Sequence, residues 1–392
     1  MTWSRDVKAQ LALAIVGTTV GSFATFGFAS LSPEIRSEYD LAPWAVGLIG
    51  AMAYVGALVA TVPAGRATDR VGAAPMLALS LAIIAGGVGL AAGATTAILF
   101  FACVWLVGLG YGAANPPTNV LASATVPRSR RAMVMSAKQV GVTAGGALAG
   151  LILPGLAVLG GWRAALVVPL VACVAVAVAS LRLARSSRGA GPPPLERHPD
   201  MTRSGMFVYG FAMTGVQIST VSYLAVYLVD HEHLSLTAAG VGLAIAQIAG
   251  SAGRFGWGVV SDRLFVSRVP PLQLASLAGA VGLVVLPWTG GAVVYPVLAL
   301  IGLGAIGWNG VFLTMVAESS SAAVGRATGS ALFWLYAGAV ACPPLFGLLL
   351  AGPDSWAVVW TAMAVTVALA IGVLTVRQSR SAPIVITTEE AR

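Results

Sequence analysis

Two cations stand where this chain can least accommodate them. Lys138 falls seven residues into an apolar stretch that follows Arg131, and Arg254 lies eight residues before Asp262. At a helical rise of about 1.5 Å per residue, each is roughly 10–12 Å from the nearest polar loop. No acid is available to pair with them, because all fourteen Asp and Glu fall in predicted loops, tails or helix ends. A cation at membrane depth costs several kcal/mol and is functional by default. Two of them without an internal counter-ion invite an anionic ligand, which the planar fork of Arg254 could hold through two hydrogen bonds. The competing reading is that either side chain snorkels, its stem packed and its head wet at the interface.

The other candidate contacts are amides and aromatic residues inside apolar runs. Asn115 and Asn119 flank Pro116-Pro117, Trp308 and Asn309 occupy a similar place later, and Gln139 adjoins Lys138. Gln217, Tyr223, Tyr227, Gln247 and Tyr336 complete the set. As substrate contacts we single out Lys138, Arg254, Asn115, Asn309, Gln139, Tyr223, Gln247 and Tyr336. Membrane amides also serve as interhelical hydrogen bonds worth about 1 kcal/mol. His231-Glu232-His233 sits in a predicted loop without a rigid frame, so no metal site is expected. Cys103, Cys173 and Cys342 lie in apolar stretches and build no disulfide or metal framework. No cofactor is implied.

The elements that must position these groups are membrane helices. The chain is 58% hydrophobic and 9% charged, against about 25% charged in soluble domains. Backbone groups cannot go unpaired in lipid, so apolar runs of about 20 residues read as spanning helices. Twelve are expected, near 10–30, 44–64, 75–94, 97–124, 132–154, 162–181, 205–229, 238–260, 271–288, 292–316, 327–350 and 356–376. The fold class is all-α. Residues 1–181 form one six-helix half and 205–376 the other. A cytoplasmic linker over 182–204 contains Pro192-Pro193-Pro194, and 377–392 is a tail, expected to be disordered.

Arg and Lys concentrate in alternate loops, leaving Arg36 and Arg163 alone on the other side. This bias places both termini in the cytoplasm and the chain in the cell membrane. The first apolar run offers no clear cleavage site, so no cleavable signal peptide is expected. The net charge of +8 reflects that topology and contact with anionic lipid, and a nucleic-acid partner is not expected from basic residues scattered over short loops. The expected partners are a small-molecule substrate, a co-transported proton or exchanged anion, and the lipid bilayer, with the chain acting as a monomer.

The chain is internally duplicated. Gly65-Arg66-Ala67-Thr68-Asp69-Arg70 and Gly258-Val259-Val260-Ser261-Asp262-Arg263 share the pattern G-x-x-x-D-R, 193 positions apart. Gly108-Leu109-Gly110 through Asn115 matches Gly302-Leu303-Gly304 through Asn309 at an offset of 194. Two parallel repeats around a midplane site are one plan for a secondary transporter. Gly65 through Gly72 resembles the signature loop of the major facilitator superfamily between its helices 2 and 3. Gly258 through Arg263 resembles the degenerate copy between helices 8 and 9. The resemblance covers essentially the whole chain. It implies a gating role for Gly65, Arg66, Asp69, Arg70, Gly258, Asp262 and Arg263. Asp69, near the positive end of a helix dipole, would hold the cytoplasmic side closed. A turn-capping role alone is the plainer alternative.

Within that family, Arg254 with Gly258 four residues on is similar to the helix 8 arginine of monocarboxylate and oxalate-type carriers. Ser136 to Gly150 is similar to the glycine motif of drug antiporters, but Gly146 stands where their proline falls. Gly110-Tyr111-Gly112 is similar to the tail of their helix 4 motif, but its arginine position is Leu106. An exporter of cations also needs a buried carboxylate. The leading expectation is therefore transport of a small organic anion, a carboxylate, by alternating access. The alternative is efflux of a neutral or amphiphilic compound, with the cations serving the gate. A membrane enzyme lacks an acid–base or metal constellation, and a sensor lacks room for a cytoplasmic domain.

Overall fold

In the computed structural model residues 5–123, 128–186, 204–318, 324–350 and 355–381 are described. Twelve long helices follow in chain order: α1 (Arg5–Ser30), α2 (Val46–Val71), α3 (Ala73–Ala92), α4 (Ala97–Ser123), α5 (Arg128–Ala165) and α6 (Val167–Ser186). The second set is α7 (Ser204–Asp230), α8 (Leu236–Leu264), α9 (Val269–Val285), α10 (Gly291–Val316), α11 (Val324–Gly347) and α12 (Ser355–Ser381). Eleven are long and apolar enough to cross a membrane, and α11 adds a shorter apolar segment, Ala331–Gly347. Hydroxyls inside the helices fold back on their own backbone. Thr18 donates to the Ala14 carbonyl at 2.8 Å and Thr25 to the Gly21 carbonyl at 2.9 Å, which keeps these two hydroxyls paired in an apolar medium.

The neighbour pattern repeats with a shift of six helices. α1 packs on α5, α2 on α4, α3 on α6; correspondingly α7 packs on α11, α8 on α10, α9 on α12. The halves meet through two equivalent pairs, α5 with α8 and α2 with α11. Small residues permit these crossings, as is usual in lipid, where close backbone approach replaces the hydrophobic effect. A side chain at Gly150 would meet the Gly240 carbonyl oxygen at 2.5 Å, and one at Gly47 would meet that of Pro343 at 2.7 Å.

Several boundaries differ from the sequence reading. α1 begins at Arg5 rather than 10, and α2 runs to Val71 rather than 64, so the expected loop at 65–70 is helical. α5 continues to Ala165 through a break at Gly161 (φ 80°), so the loop expected near 155–161 is largely helical. α6 runs to Ser186 rather than 181, and α12 to Ser381 rather than 376. Hydropathy falls at the first arginines, Arg182 and Arg377, but arginine is a good helix former and the helix continues into water. The remainder of the expected linker and tail lies outside the described residues. Helix α10 is irregular as well: Gly302–Ile306 is a π-turn.

The two ends of the bundle are not alike. At the end with few basic residues, Arg36 pairs with Asp230 across the halves. There the Tyr223 hydroxyl donates to the carbonyls of Pro343 at 2.8 Å and Trp44 at 3.2 Å. At the basic end, side chains added at Gly65 and Gly258 would meet nothing within 4 Å. The halves are thus joined by these contacts at one end, while the space beside Gly65 and Gly258 at the other is free.

Candidate functional site

Lys138 does not snorkel. It is 1% exposed, and its Nζ donates to Asn119 Oδ1 at 2.6 Å and to Asn115 Oδ1 at 3.4 Å. Asn115 in turn donates from Nδ2 to the Tyr336 hydroxyl at 2.9 Å, which ties α4 of one half to α11 of the other. Pro116 and Pro117 sit inside α4 at this level. Proline removes backbone donors and loosens the helix locally, and both asparagines face the lysine there.

Arg254 reaches the same segment from α8. Its Nη1 donates to the backbone carbonyl of Gln139 at 2.9 Å, the residue next to Lys138. Its Nε is buried and has no hydrogen-bond partner among the described residues, although the side chain as a whole is only half-buried. A guanidinium so held has donors to spare for an incoming acceptor. Arg254 lies within electrostatic range of Tyr54 and Tyr111. Tyr54 is 5.6 Å from the Tyr336 ring and 6.2 Å from that of Tyr111, centroid to centroid. The result is a chamber at the junction of α2, α4, α5, α8 and α11, with two cations, two amides and three phenols. Tyr54 was not among the sequence candidates. A tyrosine in a uniform apolar run gives no signal beyond its own hydroxyl, and only the fold places it against Tyr336.

The remaining candidates divide. Gln139 contributes its carbonyl, as described. Gln247 is buried at the α5–α8 crossing, its Nε2 2.5 Å from where a side chain at Gly146 would begin. That closeness explains a glycine at 146: a larger residue would displace Gln247 or the helix. Tyr223 does not join the chamber, because its hydroxyl is committed to two backbone carbonyls at the joined end. Tyr227 is likewise engaged there, with Glu232 at 2.7 Å. Asn309 is half-buried on α10 and makes none of the chamber's hydrogen bonds, while its neighbour Trp308 donates to Gln217 Oε1 at 3.1 Å.

Of the duplicated turns, Asp69, Arg66 and Arg70 are exposed at the end of α2, with no ion pair among the described residues. Gly72 (φ 92°) then turns the chain into α3. Asp262 pairs with Arg268, not with the adjacent Arg263, and Arg268 also holds Glu318 at 2.7 Å and Ser261 Oγ at 2.9 Å. This clamp joins the basic ends of α8, α9 and α10 within one half. Glu318 first, and then Asp262, hold the Arg268 guanidinium above its ordinary pKa. No group of three or more His, Cys, Asp or Glu suited to a metal occurs among the described residues.

The family model of the Major Facilitator Superfamily matches residues 14–343. An uncharacterized MFS-type transporter of Mycobacterium tuberculosis, Rv2994, is 30% identical over 374 residues, covering 90% of this chain and 84% of that protein. The gentisate transporter of Corynebacterium glutamicum is 25% identical over 380 residues, covering 88% and 83%. Among solved structures, a bacterial homolog of the human lysosomal transporter Spinster, inward-facing and occupied, aligns with a TM-score of 0.79 at 15% identity, covering 96% of this chain and 98% of that one.

Proposed function

The chain belongs to the Major Facilitator Superfamily, and from that premise we propose that it carries a small organic anion, a carboxylate, across the cell membrane by alternating access. The observation that carries this reading is the chamber itself. Lys138 projects from α5 to the asparagines of α4, Arg254 reaches from α8 to the carbonyl of the next residue, Gln139, and no carboxylate enters the apolar part of any helix around them. An anion supplies the missing counter-charge. A relative named for gentisate, an aromatic carboxylate, agrees with that chemistry. The Arg36–Asp230 pair at one end, with free space beside Gly65 and Gly258 at the other, supports alternating access. Asp69 and its neighbours would engage when the basic end closes, with Arg66, Arg70 and the Arg268 clamp beside them. Both walls of the chamber come from one chain, so a monomer suffices.

A thermal-shift panel on the purified protein tests the reading. Sodium benzoate, 2,5-dihydroxybenzoate or lactate will raise Tm, whereas benzamide and lactamide will not. A ligand at 100 times its Kd stabilises by about 2.7 kcal/mol. Stabilisation by cations or neutral analogues alone would remove the anion assignment.

The orientation in the membrane is tested separately. With both termini cytoplasmic, single cysteines at positions 36 and 231 will react with an impermeant maleimide in intact cells, and one at 130 will not. The reverse pattern places the basic end outside.

A further inference from the structure

We propose that the Tyr223 hydroxyl, and not the Arg36–Asp230 ion pair, is the latch that holds the halves together at the end with few basic residues. The proposal rests on the alternating-access reading above. α7 presents Tyr223 and, seven residues on, Asp230. Seven residues are about two helical turns, so both lie on one stripe. Both reach across to the first half, Tyr223 to Trp44 and Asp230 to Arg36. Their surroundings decide which of them holds. Arg36 and Asp230 are 28% and 37% exposed. An exposed pair exchanges its bond for water at little cost, and ordering a long arginine side chain offsets most of the gain. Tyr223 is fully buried.

The seat of this hydroxyl is built by both halves. Gly47 of α2 and Gly347 of α11 both face it, and a side chain on either would run into the oxygen. A Cβ at Gly47 would also meet the Pro343 carbonyl oxygen at 2.7 Å, and one at Gly347 would meet Trp44 Cα at 2.8 Å. The phenol thus occupies a notch cut by one glycine from each half. Its bond to the Pro343 carbonyl, 2.8 Å, lies within the second half, and its bond to the Trp44 carbonyl, 3.2 Å, crosses to the first. The inner bond keeps the hydroxyl aimed when the crossing bond breaks. Re-forming the latch therefore orders no new rotamer, and little conformational entropy opposes it.

Cysteine reactivity tests the latch without any ligand. Ile218, five residues before Tyr223 on α7, is 2% exposed, and a Cβ at Gly50 of α2 would meet its Cγ2 at 3.2 Å. A cysteine at 218 reacts only when the halves part. The purified full-length protein carrying Ile218→Cys is treated with N-ethylmaleimide, and modification at 218 and at Cys173 is followed by mass spectrometry. Cys173 is buried in the first half and reports general loosening. Tyr223→Phe keeps the ring and will raise the rate at 218 about fivefold, the usual weight of one neutral hydrogen bond. The rate at Cys173 will not change. Asp230→Asn will raise the rate at 218 by less than about twofold. Gly47→Ala wedges the notch and will raise it about tenfold or more. Equal rates at 218 in Tyr223→Phe and its parent overturn the latch. So does a rise matched at Cys173, or one exceeded by Asp230→Asn. In each of these cases reaction at 218 in Gly47→Ala leaves alternating access standing. If 218 stays unreactive even in Gly47→Ala, the halves do not part here, and the alternating-access reading fails together with the latch.

Discussion

Arg254→Gln will weaken anion binding by roughly 100-fold, a loss of about 3 kcal/mol, the usual range for removing one partner of a buried, hydrogen-bonded charge pair. Lys138→Gln will cost a similar amount. Arg254→Lys keeps the charge but not the planar fork, and will fall between, at about tenfold. The reasoning is local: Arg254 Nη1 is fixed on the Gln139 carbonyl while its Nε has no partner, so the guanidinium is preset for a ligand. Lys8→Gln is the control, since it removes one exposed positive charge far from the chamber. Anion-induced thermal shifts on the four variants make the comparison. If both glutamine variants respond like the wild type, the chamber is not the anion site.

The second large effect is on folding. Gly150→Leu or Gly240→Leu will destabilise the protein by about 3 kcal/mol or more, because each new side chain meets the opposing backbone carbonyl at 2.3–2.5 Å. Overpacking commonly costs about 1–3 kcal/mol when side chains can move aside, and a backbone carbonyl in a helix cannot. Gly155→Leu on the same helix meets nothing within 4 Å and will be tolerated. Melting temperatures of the three proteins in one detergent separate the cases. Equal melting of the 150 and 155 variants would mean that α5 and α8 are not in tight contact.

The fold was legible because its determinants are one-dimensional. Twelve apolar runs, a lopsided distribution of Arg and Lys, and two copies of G-x-x-x-D-R require no knowledge of contacts. The chamber was legible in part. Lys138, Arg254, Asn115 and Tyr336 stand out as polar groups in apolar surroundings; the structure joins Lys138, Asn115 and Tyr336, and holds Arg254 on the carbonyl of Gln139 beside Lys138. Tyr223 stands out for the same reason and belongs to the joined end instead, because composition does not say at which depth a tyrosine hydroxyl finds its acceptor. Arg268 was counted only as one more basic loop residue. Its clamp on Asp262 and Glu318 depends on three helix ends meeting, which no local pattern records.

Asn309 has a different cause, and it lies in the π-turn of α10. Glycines at matching places in the two halves make matching contacts. Gly108 sits against the Ala53 carbonyl as Gly302 sits against that of Ala246, and Gly110 against Ser80 as Gly304 against Ala275. Gly112 lies on α2 at Ala57, and Gly250, at the place of Ala57 on α8, meets Ile306. One extra residue in a turn rotates everything downstream by about 100°. Gly310, next to Asn309, rests on the Arg254 backbone. Helices α4 and α10 thus do different work. One now holds a lysine with an amide, while the other makes room for an arginine by having no side chain at all.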